Sequence, residues 1–385
     1  MRSVVELADI VRAAGPAYVA THAGALLPSQ RRALTDIGQC RTAALGGSLY
    51  RCDDCGALAY RYHSCRNRHC PKCQADRAQQ WLERVQERLL PCDHYLLTFT
   101  LPAQLRALAH RHQRLVYGAL LREAAASVQV VAEDRAWIGG TPGILAVLHT
   151  WSRTLDYHPH VHLLVTAGGL TSDGAAWIRP AHAGFLLPGY VLSRIFRAKM
   201  RDALIRAGVG STVDARVWQR RWTVHVAPIG SGDHATLYLS RYVYRVALTN
   251  GRLDRFAEGR VTFQYTHART HTTRSLTLPV DQFLTRFLHH VLPRGFTKVR
   301  WYGLLSAGRR ADLERARDLL TLRRPPAEEA PPLTTRVDGP PTRDGPAPGA
   351  VPTPANQCSV CSHGHWVLVQ RYPPARAPPL CPRAA

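Results

Sequence analysis

Between His149 and Gly169 the chain reads HTWSRTLDYHPHVHLLVTAGG, with His158, His160 and His162 at alternate positions in an apolar, β-branched setting. Successive side chains of a strand point to opposite faces, so these three imidazoles share one face. Val161, Leu163 and Val165 take the other face and enter a core. Three imidazoles on one rigid strand describe part of a divalent-metal site, because neutral imidazole is a common metal ligand. The plainer alternative is a polar, hydrogen-bonded face of a half-buried strand. GILAVLHTW (143–151) reads as a second strand, joined to the first by a hairpin around 152–157. If that loop is symmetric, His149 lies opposite His160, since opposed residues of an antiparallel pair sum to a constant. His160 and His162 are then the core metal pair, with His149 or His158 as the third ligand. A one-residue slip would turn His149 away.

The 385-residue chain is long enough for two or three domains. Its formal net charge of +23 bounds partners more than fold: nucleic acid is the default counterpart and an anionic membrane surface the alternative. No run of consecutive apolar residues approaches the roughly 18 needed to span a bilayer. The N-terminal MRSVVELADIVRAAG has acidic residues inside its apolar stretch and no clear cleavage site. A cytoplasmic, nucleoid-associated protein with DNA as partner and no membrane is expected. Of the 50 basic residues only Lys72, Lys199 and Lys298 are lysines. Arginine grips phosphate with two parallel hydrogen bonds, which suits backbone binding, although a GC-rich genome produces the same bias.

Six of the ten cysteines fall between Cys40 and Cys73. Clustered CxxC pairs in a cytosolic chain indicate metal rather than disulfides. Cys52-Asp-Asp-Cys55 and Cys70-Pro-Lys-Cys73 are two knuckles that together would complete a tetrahedral Zn²⁺ shell. Cys40, His63, Cys65 and His69 remain to supply a second zinc or to exchange with a knuckle residue. Arg61, Arg66, Arg68 and Lys72 are interleaved with these ligands and placed to meet DNA phosphates. A solvated charged rim is the other reading.

Taken in order, residues 1–39 read as helical, with Ser29 as an N-cap, and 40–91 as the zinc module and a following helix. Residues 92–322 alternate strands and helices: 94–102, 143–151, the histidine strand, 221–228, 259–266, 273–278 and 298–305 read as strands, and 103–128, 188–207, 281–291 and 309–322 as helices. The expected class is α+β, a central antiparallel sheet with flanking helices preceded by a small zinc-binding module. In DHATLYLSRYVYRVALTN (233–250), Tyr238 and Tyr242 stand four residues apart and stack on one face of a helix. Facing a metal they would be nucleophiles; otherwise they are an aromatic ridge on the sheet. Arg241 and Arg245 flank them as phosphate clamps. Residues 323–356 are Pro-rich and poor in large apolar side chains, as expected of a disordered linker. The 357–385 tail carries Cys358-Ser-Val-Cys361, His363, His365 and Cys381, which would make a further small zinc knuckle.

CRTAALGG, CDDCG and SCRNRHCPKCQ resemble the zinc-binding domain at the start of IS91-type transposases. LHTW, HPHVHLLVTAGG, YLSRYV and FLTRFLHHVLPRGFTKVRWYGLL resemble their two-tyrosine HUH catalytic domain. The likeness runs from about residue 29 to 320. It implies a His160-Val161-His162 core binding Mg²⁺ or Mn²⁺, and nucleophiles at Tyr238 and Tyr242. It also implies an HUH endonuclease-like sheet and cutting and rejoining of single-stranded or hairpin DNA ends through a 5′-phosphotyrosine. Two other classes share parts of the pattern: a metal-dependent nuclease that uses water, and a zinc-finger DNA-binding regulator without chemistry.

Overall fold

A computed structural model describes residues 5–73, 83, 85–230, 247–267, 270–322 and 356–375. Thirteen strands run through them: β1 Gly47–Cys52, β2 Leu58–Tyr62, β3 His94–Thr100, β4 Gly143–Trp151, β5 Tyr157–Thr166, β6 Gly169–Leu170, β7 Trp177–Ile178, β8 Val224–Gly230, β9 Leu253–Ala257, β10 Arg260–Thr266, β11 Thr273–Pro279, β12 Val299–Gly303 and β13 Trp366–Tyr372. The helices are α1 Leu7–Thr21, α2 Pro28–Gln39, α3 Arg106–Arg111, α4 Gln113–Ala132, α5 Gly189–Arg206, α6 Arg216–Gln219, α7 Val280–Leu288 and α8 Arg310–Leu322. The architecture is α+β, with antiparallel sheets flanked by helices.

The chain divides into two compact units, Met1–Asp76 with Val246–Val291 and Gly339–Ala385, and Arg77–Arg245 with Leu292–Asp338. This division cuts across the segments 1–39, 40–91 and 92–322 expected from chain order. The second unit is built on a five-stranded antiparallel sheet in the order β12-β4-β5-β3-β8. Strand alternation sends Leu97, Phe99, Ile144, Leu148, Val161, Leu163 and Val165 to one face, where α4 and α5 cover them with residues such as Tyr117, Leu120, Phe196 and Met200. The Phe99 and Phe196 rings meet edge to face, 5.0 Å apart. The opposite face carries Leu145, Val147 and Leu164, packed on Leu304, Leu305, Leu313 and Ala316. Val147 lies across from His162, and Leu164 follows that histidine two residues along β5, so the histidines continue a face whose other end is sealed by hydrophobic contact.

The helix expected over 103–128 is two helices, because His112 (φ −118°, ψ 47°) leaves the helical region and turns the chain. α4 is long and apolar enough, by length and composition, to cross a membrane, which a search for consecutive apolar residues does not register. Arg122 and Glu123 interrupt its apolar run, and most of its apolar side chains are buried against the sheet.

In the first unit, β9, β10 and β11 form a meander, and α7 follows it directly. This segment is tied to the N-terminal helices. The Leu7 amide donates to Asn250 Oδ1 (3.1 Å), Tyr18 Oη lies 2.8 Å from Thr285 Oγ1, and Gln30 Nε2 donates to the Leu288 carbonyl (2.9 Å). α2 starts at Pro28 with Leu27 as its N-cap, not at Ser29. The fixed φ of proline preorganises the first turn, and Gln30 Oε1 accepts the Leu27 amide at 2.9 Å. The third sheet joins the two ends of the chain: its order is β13-β1-β2, with β13 antiparallel to β1 from Gly47–Tyr372 to Cys52–Trp366. The expected linker at 323–356 lies outside the described residues, apart from its last position.

Candidate metal centres

β4 and β5 pair with His149 opposite His160 and Val147 opposite His162, and β3 places Thr98 beside His162. The register follows the alternation argument, and an irregularity between His149 and Trp151 absorbs the turn. Ligand nitrogens of His149, His160 and His162 all lie within 4.8 Å of one another. His160 Nδ1 sits 2.7 Å from the His158 carbonyl. A carbonyl only accepts, so Nδ1 carries the proton and Nε2 presents the lone pair. His162 Nδ1 lies 3.1 Å from Thr98 Oγ1. Partners of this kind fix ring orientation and tautomer in metal sites. The His149 ring is buried and stacks on Trp151 at 4.7 Å.

Desolvation in the sheet lowers the pKa of His160 to about 4 and holds His162 well below the usual imidazole value. Both rings are therefore neutral at pH 7, the form that binds a cation. His158 points along the same face but is not in the cluster: Arg106 of α3 places a guanidinium nitrogen 2.7 Å from its Nδ1. A cation already occupies that nitrogen's surroundings, so of the two candidates for third donor only His149 converges. Mg²⁺ and Mn²⁺ both favour oxygen donors, but Mn²⁺ accepts imidazole nitrogen more readily, so of the two it would be held more tightly by three histidines.

The thiols form two four-membered groups, Cys40-Cys65-Cys70-Cys73 and Cys52-Cys55-Cys358-Cys361. The two knuckles do not share one shell. Cys70 and Cys73 gather with Cys40 and Cys65, while Cys52 and Cys55 gather with the C-terminal knuckle. Sulfur separations are 3.5 Å (Cys40–Cys73), 3.6 Å (Cys40–Cys70 and Cys65–Cys73), 3.7 Å (Cys52–Cys361) and 3.8 Å (Cys55–Cys358). A tetrahedral ion with Zn–S bonds of about 2.3 Å needs sulfurs about 3.8 Å apart, and a disulfide needs about 2.05 Å, so both donor sets fit zinc. With protons in place of a metal, hydrogen bonds from Cys65 and Cys70 pull Cys40 down to about 2, while that pairing pushes Cys65 up to about 12 and raises Cys70. Four packed thiols cannot all ionise without a cation among them. His63 and His69 belong to neither group; His63 Nδ1 lies 3.1 Å from the Leu45 carbonyl and its Nε2 2.9 Å from Ser48 Oγ.

A family model described as "Transposase zinc-binding domain" matches residues 10–101, and one described as "Putative transposase" matches residues 143–312. A transposase of insertion sequence element IS801 from Pseudomonas savastanoi pv. phaseolicola is 29% identical over 74% of this chain and 72% of its own length. The putative transposase y4qJ of Sinorhizobium fredii is 38% identical over 99% of this chain and 98% of its own. The chain belongs to the IS91 family of transposases. No solved structure matches it. In this transposase the zinc-binding match ends at residue 101, yet half of the second thiol group comes from Cys358 and Cys361. The CxxC of the tail was visible in the sequence; its pairing with Cys52 and Cys55, some 300 residues upstream, was not. Thr98 and Arg106 were also missed, since neither carries a signal until the sheet is paired.

Of the basic residues expected at DNA, Arg66 is exposed, Arg68 is half-buried with its pKa lowered by desolvation, and Lys72 is ion-paired with Glu6. Tyr238, Arg241, Tyr242 and Arg245 lie outside the described residues.

Proposed function

We propose that this transposase cuts and rejoins single-stranded or hairpin DNA at the end of an insertion sequence, by a rolling-circle-like route through a 5′-phosphotyrosine. The observation that carries the reading is the convergence of His149, His160 and His162 on one sheet face. Two of these rings are held neutral, and two have Nδ1 engaged by fixed partners. A divalent ion bound there would draw charge from the non-bridging oxygens of the scissile phosphate. The histidines grip and orient; they are not the nucleophile.

Tyr238 or Tyr242 attacks phosphorus. A phenol–phosphate bond forms, the bond to the 3′ oxygen breaks, and the energy of the original linkage is kept for rejoining. A free phenol has a pKa near 10, so an adjacent cation is needed to favour phenolate. Chain length permits the encounter. β8 ends at Gly230, on the strand next to β3, and Tyr238 follows eight residues later. Eight residues span at most about 27 Å. The His162 row lies four residues along β3 and two strands across from Gly230, about 16 Å by strand geometry. Two tyrosines allow a second cleavage before the first link is resolved, which suits transfer of one strand to a target. Arg241 and Arg245 clamp the flanking phosphates.

The test is incubation with single-stranded element ends and Mn²⁺, followed by a denaturing gel. A shifted protein–DNA band supports the reading. A cleaved strand with no adduct assigns the histidines to a water-activating nuclease instead.

A further inference from the structure

The zinc-bearing first unit contains an open basin of about 1020 Å³. Its walls include Arg41, Arg61, Arg66 and Arg371, with Tyr50 and Tyr62, and among the described residues no carboxylate lines it. Arg61 lies over the Tyr50 ring at 5.3 Å and over the Trp366 ring at 5.5 Å, so two aromatic rings hold its guanidinium in place. Arg66 and Arg371 are exposed and have no ion-pair partner among the described residues. The Tyr62 ring meets Tyr60 edge to face at 5.1 Å, and Tyr60 meets Tyr372 at 5.5 Å, which leaves a ridge of half-exposed phenol rings beside the basin. Arg371 is brought there by β13, whose pairing on β1 starts at Trp366 opposite Cys52, a member of the second thiol group.

We infer that this basin holds a short unpaired stretch of DNA, with its phosphates on Arg41, Arg66 and Arg371 and its bases against the tyrosines. Several guanidinium groups with no carboxylate select a polyanion. Concavity and aromatic rings select against a rigid duplex, whose bases are already stacked, and in favour of single strands. The inference rests on the proposed function for the substrate being the element's own DNA, but binding needs no chemistry and is measured separately from it. The C-terminal segment then serves both sites, with Cys358 and Cys361 at zinc and Arg371 of β13 at DNA.

The experiment is fluorescence anisotropy of the full-length protein without added Mg²⁺ or Mn²⁺, using a labelled 20-nucleotide single strand and its blunt duplex across a salt series. The single strand binds more tightly. In the Arg66→Ala/Arg371→Ala double variant, the slope of log affinity against log salt falls by about 1.4, two phosphate contacts at about 0.7 each. Arg66→Lys/Arg371→Lys restores it. Because either variant could misfold, the wild-type protein is also photocrosslinked to bromodeoxyuridine-substituted strands. Crosslinks to peptides spanning 41–66 or 366–372 support the site; crosslinks confined to other peptides overturn it. An unchanged salt slope in a variant that retains its zinc, or preference for the duplex, also overturns it. Adduct formation with Tyr238 and Tyr242 intact tests the chemistry independently.

Discussion

Replacing Cys358 and Cys361 by serine should remove one zinc ion and leave the other. The Cys40-Cys65-Cys70-Cys73 group takes all its ligands from a 34-residue stretch, whereas the second group closes on Cys52 and Cys55 across separations of 303 and 309 residues. Zinc binds the folded site and not the unfolded chain, so its binding free energy, on the order of 10 kcal/mol for a structural zinc, is folding free energy that the variant loses from the β1–β13 region. The pairing of β13 on β1, which buries Trp366, is what remains to hold the tail. Metal analysis of purified protein should fall from two zinc ions per chain to one, and Cys52 and Cys55 should become open to alkylation. Cys40→Ser together with Cys65→Ser should give the complementary loss, with alkylation of Cys70 and Cys73. The reasoning is refuted if the Cys358/Cys361 variant keeps its full zinc content, or if Cys52 and Cys70 lose metal together. Either result would restore the single shell built from the two N-terminal knuckles.

Three further outcomes follow from the histidine sheet. Calorimetric titration with Mn²⁺ should lose about 100-fold or more in affinity for His149→Ala and about tenfold for Thr98→Val, while His158→Ala stays near wild type, because only its backbone carbonyl supports His160. Mn²⁺ should support strand cleavage at lower concentration than Mg²⁺; equal requirements would argue for oxygen donors that the imidazole set lacks. His94, 1% exposed at the start of β3, has its pKa lowered to about 4 by burial. The unfolded chain takes up that proton near pH 6.5 and the folded one only near 4, so stability is complete above 6.5 and falls between 6.5 and 4, by about 3 kcal/mol. His94→Leu should lose that component, and urea midpoints measured from pH 7 to 4.5 should converge on a smaller pH dependence.

Local period was enough to read the histidine strand. Alternation placed three imidazoles on one face, and a symmetric hairpin placed His149 opposite His160, as the pairing has it. Strand alternation survives in the structure because each strand has a buried side whose hydrophobic set forbids a slip. Contacts between segments far apart in sequence were not legible. Two CxxC knuckles eighteen residues apart look like one shell, and only the pairing of β13 on β1 shows that one of them closes with the tail. The grouping of 246–291 with the N-terminal helices depends on single side chains, Asn250 and Thr285, whose partners no spacing rule identifies. Lys72 read as a DNA contact because its partner, Glu6, lies sixty-six residues upstream.

The central claim is that a phenol of this transposase becomes linked to DNA beside the three-histidine cluster. The direct measurement is mass spectrometry of the protein after reaction with a single-stranded element end and Mn²⁺. The account predicts a nucleotide adduct on the peptide carrying Tyr238 and Tyr242, lost in Tyr238→Phe/Tyr242→Phe and in His160→Ala/His162→Ala. DNA cleavage that persists in the tyrosine double variant, with no adduct in the wild type, would contradict it.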